Sequence, residues 1–180
     1  SPELFLKKRG KRITSSPIKG TIRRGQNEEE DAALAHQLYH DTKERAENVM
    51  ICDLVRNDLS KIAAPGTVSV PELFGIHRFQ TVHQMISSVQ CDIADGVEIS
   101  DIIKATFPMG SMTGAPKIRA MQLIDELEGT RRGIYSGSVC CIQPNGDFDM
   151  NVVIRSIACN RRTKRISMQV GGAITALSDP

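Results

Sequence analysis

Apolar positions change their spacing several times along the chain, and each change marks an element. In "ELFLKKRGKRITSS" two β-prone runs flank Gly10, which predicts a hairpin with Lys7, Lys8, Arg9, Lys11 and Arg12 near its turn. From Glu28 to Lys61 the spacing becomes helical, with Leu34, Leu38, Val49, Met50 and Leu54 as the apolar stripe. Glu28, Glu29 and Glu30 suit a helix N-terminus, and Asp41 or Thr42 can cap a second helix within the same segment. Ala64–Gly66 ends it. "GTVSVPELFGIHRF" and "VHQMISSVQCDIA" are rich in β-branched and aromatic residues and predict strands. A short helix follows with Ser100 as its cap, then a Gly- and Pro-rich loop, "FPMGSMTGAPK". "KIRAMQLIDELEG" predicts a strongly amphipathic helix, starting near Pro116 and closed by Gly129. The last third reads as two or three antiparallel strands: "YSGSVCCIQ", the turn "PNGD", "DFDMNVVIRSIAC" and then "RISMQVGG". Helices and strands in separate blocks give an α+β class, antiparallel sheets flanked by helices.

Composition adds limits rather than an identity. A chain of 180 residues, 40% hydrophobic, can bury one core. A net charge of only +2 gives no global reason to expect nucleic acid, and no apolar run is long enough to span a bilayer. The five cysteines lack zinc or C-x-x-C spacing, which favours reduced thiols and a cytoplasmic protein. The chain opens at "SPELFL" without methionine and stops at "ALSDP", so it reads as part of something longer.

Several residues could carry chemistry, each beside a plainer reading. Lys19, in "SSPIKGT", is either a solvated loop charge or a placed nucleophile. The basic hairpin residues could meet phosphate or form a solvated tip. Glu44 and Glu47 lie about one helical turn apart, a spacing that suits a hard divalent cation or a charged, solvated face. Asp53, Arg56, Asn57 and Asp58 can form helix-surface pairs and a cap. His83 is a core or edge residue, or a proton-exchanging one. Ser111 and Thr113 precede a helix start that favours an anion, although the G-K-[ST] ending of a P-loop is absent. Arg155 at the end of "VVIR", Tyr135 and Gly171-Gly172 are ambiguous singly. Together these groups suit a small polyanion held by a metal and fixed donors.

Assembled in order, "SPE", "PIKGT", "KERAENVMICDLVRNDLS", "HQMISSV", "ATFPMGSMTGAPKIRAMQLIDELE", "RRGIYSGSV", "VVIRS" and "GGAIT…SDP" make the chain resemble the chorismate-utilising enzymes. That family includes anthranilate synthase component I, aminodeoxychorismate synthase component I, isochorismate synthase and salicylate synthase. The resemblance implies that residues 1–180 are part of a chorismate-binding catalytic domain, its early strands and its extreme C-terminus lying outside. Lysine in "PIKGT", where anthranilate synthases usually have alanine, is typical of aminodeoxychorismate synthases, which supply p-aminobenzoate for folate. There the lysine is proposed to attack chorismate at C2; ammonia from a glutamine amidotransferase subunit or domain then adds at C4.

By the same resemblance Lys19, Glu3 and His83 are catalytic, Glu3 serving as the acid/base for the C4 hydroxyl. Glu44 and Glu47 hold Mg²⁺, Glu47 more directly. Gly20, Thr21, Thr113 and Gly114 line the ring-carboxylate side, and Tyr135, Arg155, Gly171 and Gly172 the enolpyruvyl side. Ala173 and Cys140 depart from the family pattern, where glycine is usual. The family's second acidic metal motif falls past Pro180, so the expectation for the isolated chain is weak or absent turnover.

Overall fold

The computed structural model describes residues 3–176 and 178; Ser1 and Pro2 of "SPE", with Leu177, Asp179 and Pro180 near the end, lie outside the described residues. Strands β1 (Leu4–Arg9), β2 (Arg12–Ser16), β3 (Ile18–Arg23), β4 (Ser69–Arg78), β5 (Val82–Asp92), β6 (Ser138–Ile142) and β7 (Phe148–Val152) form one seven-stranded sheet. The strand order is β3-β5-β2-β1-β7-β6, with β4 also paired to β5, and every pairing is antiparallel. A separate hairpin joins β8 (Ile157–Asn160) to β9 (Arg165–Met168). Helices α1 (Glu28–His40) and α2 (Thr42–Ser60) fill the connection from β3 to β4; α3 (Ile99–Thr106) and α4 (Lys117–Leu127) follow β5. The α+β reading holds.

β5 organises the sheet. Its Val89–Asp92 half pairs with β2 and its Val82–Ile86 half with β3, so the two short strands run along one edge as a single bent strand. Pro17 marks the bend, its carbonyl accepting from the Ser87 N–H at 3.2 Å. Because β4 also pairs with Ile86, it occupies the other edge. The main core gathers Phe5, Leu6, Ile13, Val89, Cys91, Phe148, Met150 and Val152 from strands against Cys52, Leu59 and Ile102 from helices. Full burial of such a side chain is worth about 2 kcal/mol in transfer from water.

The helix pair divides where its cap requires. The Asp41 side chain accepts from the Glu44 N–H at 2.9 Å and starts α2. The expected stripe is only partly right: Leu38 and Leu54 are buried, but Val49 is 45% exposed and the buried face of α2 runs through Asn48, Ile51, Cys52, Leu54, Asp58 and Leu59. The short third helix begins at Ile99 rather than after Ser100, because the Asp101 carboxylate accepts from the Glu98 N–H at 3.1 Å and makes Glu98 the cap. β3 replaces the loop predicted around Lys19. "DFDMNVVIRSIAC" is not one strand: it breaks between β7 and β8, where Arg155 takes a left-handed φ of 50°. Helix α4 buries no residue, so its amphipathic face lies open, with Ile118 68% and Leu127 76% exposed. At the basic hairpin, Arg9 pairs with Asp149, Lys11 with Asp95 and Arg12 with Asp92, which fits the solvated-tip reading.

One polar cluster sits inside this framework. Asp31, 2% exposed, accepts from Arg24 Nε at 2.7 Å, from the Gly25 N–H at 2.8 Å, from His83 Nε2 at 2.9 Å and from Arg78. It thereby ties the first turn of α1 to the ends of β3, β4 and β5. The Arg24 guanidinium, then Arg78, holds its carboxyl far below the ordinary value of 3.8. A depressed folded value stabilises the native state fully above the unfolded value, and the benefit is lost as pH falls from there. Asp31→Asn is therefore expected to lower Tm at pH 7 by about 5 °C or more, and the gap from wild type to narrow below about pH 4. Thermal melts of both proteins over that pH range check it.

Candidate active site

Glu3 enters from the end of β1. Its backbone carbonyl accepts from the Val152 N–H at 3.0 Å, which fixes it between β7 and the loop after α3. The side chain is 8% exposed, and burial pushes its carboxyl above the ordinary 4.5. The Ser111 hydroxyl, then the positive charges of Lys19 and Arg155, act in the opposite direction. The sequence-predicted nucleophile, acid and arginine thus share one electrostatic neighbourhood.

Lys19 is half-buried on β3, and the residue after it makes the local shape. Gly20 takes φ +94° where the pairing with β5 slips between Ile18 and Thr21. The bulge lets the backbone settle onto α1 and α2: a Cβ at Gly20 would lie 3.1 Å from Leu38 Cδ1 and 3.3 Å from Glu44 Oε2. Glu44 accordingly lies close against the backbone at Gly20. Burial, then the charges of Glu47 and Asp41, pushes its carboxyl up, while Lys43 and Lys19 oppose the rise. The charge of Glu47 bears on the Glu44 carboxylate, a repulsion a divalent cation would relieve, so the donor chemistry of this pair suits a hard cation such as Mg²⁺. Among the described residues no group of three or more His, Cys, Asp or Glu side chains converges on one point. Thr21 is exposed beside Gly20.

The other wall comes from the last third. Ser136 donates its N–H to the Val153 carbonyl at 3.0 Å and Val153 donates to Gly137 at 2.8 Å, which lays Tyr135 alongside the segment leading to Arg155. Gly171 meets the same tyrosine: a Cβ there would stand 2.7 Å from the hydroxyl. Gly172 and Ala173 are exposed, and a Cβ at Gly172 would meet nothing within 4 Å. Cys140 is exposed on β6. Arg132 braces Tyr135, donating to the Met112 carbonyl at 2.9 Å and to Ser136 Oγ at 3.0 Å. Thr113 turns its hydroxyl toward the Met109 and Gly110 carbonyls, and Gly114 lies against Ala120 of α4. A groove of about 720 Å³ opens beside α4, lined by Phe107, Thr113, Met121, Arg132 and Tyr135 among others; Thr113 and Tyr135 of the predicted set line it, whereas Lys19, Glu3, Glu44, Glu47 and Arg155 do not. That volume is in the range of small-molecule sites.

His83 sits on β5 opposite Ile22, the residue after Thr21. It is 3% exposed and bonded to Asp31, and its Nδ1 has no hydrogen-bond partner. Sequence reading also treated Asp58 as a helix-surface group, whereas it is 3% exposed and paired with Lys117 and Lys61. Lys117 was not singled out at all; its position between "GAP" and an apolar helix face was the available signal.

Residues 1–180, the whole chain, match the family model of the chorismate binding enzyme. The chain belongs to the chorismate binding enzyme family. Among relatives of this family member, aminodeoxychorismate synthase component 1 of Bacillus subtilis is 49% identical over 157 residues, covering 87% of this chain and 33% of the relative. Anthranilate synthase component 1 of Aquifex aeolicus is 44% identical over 180 residues, covering all of this chain and 36% of the relative. The crystal structure of anthranilate synthase component I from Streptococcus pneumoniae superposes with a TM-score of 0.77 at 37% identity, covering 87% of this chain and 34% of that one. The chain therefore spans about a third of the length of each of these three relatives. Among the described residues no helix is long and apolar enough to cross a membrane.

Proposed function

We propose that the protein carrying this chain is an aminodeoxychorismate synthase component I, converting chorismate and ammonia to 4-amino-4-deoxychorismate in the cytoplasm. The observation that carries the reading is Lys19, a half-buried lysine whose charge is felt by both Glu3 and Glu44. The name borne by the Bacillus subtilis relative supports it.

In the proposed reaction neutral Lys19 Nζ forms a bond to ring C2, the ring double bonds shift, and the C4–O bond breaks. Glu3, whose carboxyl burial pushes above its ordinary value and so toward the protonated form, protonates the departing hydroxyl, which leaves as water. Ammonia then bonds to C4, the double bonds shift back, and the C2–N bond breaks to return Lys19 as an amine. Arg155 and Tyr135 orient the enolpyruvyl carboxylate, for which a planar guanidinium fork is suited. The peptide N–H groups near Gly171 and the Gly20–Thr21 backbone complete the donors. Glu44 and Glu47 would hold Mg²⁺, which when bound supplies charge neutralisation of the ring carboxylate. A glutamine amidotransferase subunit or domain would supply the ammonia.

The 44% identity to an anthranilate synthase component supports a second reading, in which the same site aminates C2 and releases anthranilate. Incubating the full-length protein with chorismate, Mg²⁺ and ammonium separates the two. The expected product is 4-amino-4-deoxychorismate, convertible to p-aminobenzoate by added lyase; direct release of anthranilate would overturn the first reading.

A further inference from the structure

Ser111 lines one small cavity with Glu3 and stands on the segment 107–116, which has little regular structure beyond one 3-10 turn at Gly110–Met112. Something must keep that strap in place, and it is seated on α2 at two points. Gly110 rests on Leu54, where a Cβ would come 3.0 Å from Leu54 Cδ2. One helical turn later Asp58 meets Lys117.

Lys117 is a clamp rather than a surface charge. Its side chain is 12% exposed, and its ammonium donates to the Asp58 carboxylate, to the Thr106 carbonyl at 3.2 Å and to the Pro108 carbonyl at 2.6 Å. Three donors thus meet three acceptors that belong to α2, to the end of α3 and to the strap. Asp58 lies eleven residues after Glu47 on α2 (58 − 47), close to three turns of 3.6 residues, so clamp and candidate metal acid share a side of the helix. Asp58 also takes Lys61 Nζ at 2.9 Å, but among the described residues the Lys61 ammonium makes no hydrogen bond to the strap, and its side chain is 50% exposed.

We propose that Lys117 is a positioning residue: by joining Asp58 to the two carbonyls that bracket the start of the strap, it holds Ser111 against Glu3 and Thr113 at the groove. The catalytic consequence rests on the chorismate-aminating reading above; the structural one does not. A guanidinium is planar and cannot direct its donors at three acceptors arranged around one point, so arginine is a partial substitute only.

The test uses the full-length protein with Lys117→Met, Lys117→Arg and, as the control, Lys61→Met, which removes the other cation from Asp58. Amide hydrogen exchange over 107–116 is expected to be at least tenfold faster in Lys117→Met and at least threefold faster in Lys117→Arg, and unchanged in Lys61→Met. With chorismate and ammonium, kcat is expected to fall at least tenfold in Lys117→Met while KM for chorismate moves less than kcat, because the strap's contact is with the acid. Should Lys117→Met not fold, Lys117→Arg carries the comparison. Wild-type exchange of the strap in the Lys117 variants, or equal loosening in Lys61→Met, would overturn the clamp. A loosened strap with kcat intact would overturn its catalytic role. A wild-type protein that does not act on chorismate would sink the functional reading and leave the exchange result to decide the clamp alone.

Discussion

Replacing Lys19 with alanine is expected to reduce formation of 4-amino-4-deoxychorismate by at least about a thousandfold, about 4 kcal/mol of transition-state stabilisation. Loss of charge alone could slow the reaction, since Lys19 acts on both the Glu3 and the Glu44 carboxyls. Lys19→Arg separates the two effects. The guanidinium keeps the positive charge but stays protonated and cannot attack carbon, so it should be as inactive as alanine. Chorismate affinity, measured by calorimetry, should change far less than the rate in either variant. An unchanged rate in Lys19→Ala would remove the covalent step and leave family membership untouched. Acid-quenched wild-type protein should in addition show the lysine adduct by mass spectrometry.

The largest loss of stability is expected from Gly25→Ala. A Cβ at that position would stand 2.2 Å from the Asp31 backbone nitrogen, 2.6 Å from its Cα and 2.7 Å from the Glu30 carbonyl carbon. These are main-chain atoms of the first turn of α1, so no rotamer change relieves the overlap and the helix must move. Movement would pull Asp31 from Arg24 and from the Gly25 N–H, and would carry Leu38 off Gly20. A cost of about 3 kcal/mol or more is expected, read as a shift of the urea midpoint. Gly129→Ala is the matched control, because a Cβ there meets nothing within 4 Å.

Local signals in the sequence located most elements because their causes are local. Gly10 with φ +58° at a hairpin turn, Asp41 as a cap and the Ala64–Gly66 stop all act within a few residues. What sequence reading missed depends on distant partners. The β3 strand escaped notice because Lys19 and Gly20 interrupt its alternation, and the pairing that makes it a strand lies far along the chain on β5, where Ile18 meets Ile86 and Arg23 meets Val82. Nothing in the local spacing of Arg24, Asp31 and Arg78 marks them; only the convergence of the two arginines on the buried Asp31 carboxylate gives them a role. His83 had a visible clue, a histidine in an apolar strand, yet nothing in its spacing named Asp31 as partner. The site residues were legible largely through motif resemblance. The structure adds that Glu3 and Ser111 line one cavity, that the charges of Lys19 and Arg155 act on Glu3, and that Tyr135 meets Gly171.

The place of β1 in the sheet also governs when the site can assemble during folding. On one side β1 pairs with β2 across a short turn; on the other it pairs with β7, and Lys8 and Arg9 reach carbonyls 138 and 139 residues away. Closing so long a loop is entropically costly and slow relative to forming the early hairpin or the α1–α2 pair. Glu3, held by Val152 at that late seam, should therefore be among the last residues to reach its native setting. Refolding followed by the return of activity would then lag refolding followed by helix content, and the lag would be a clock for the docking of β7 onto β1.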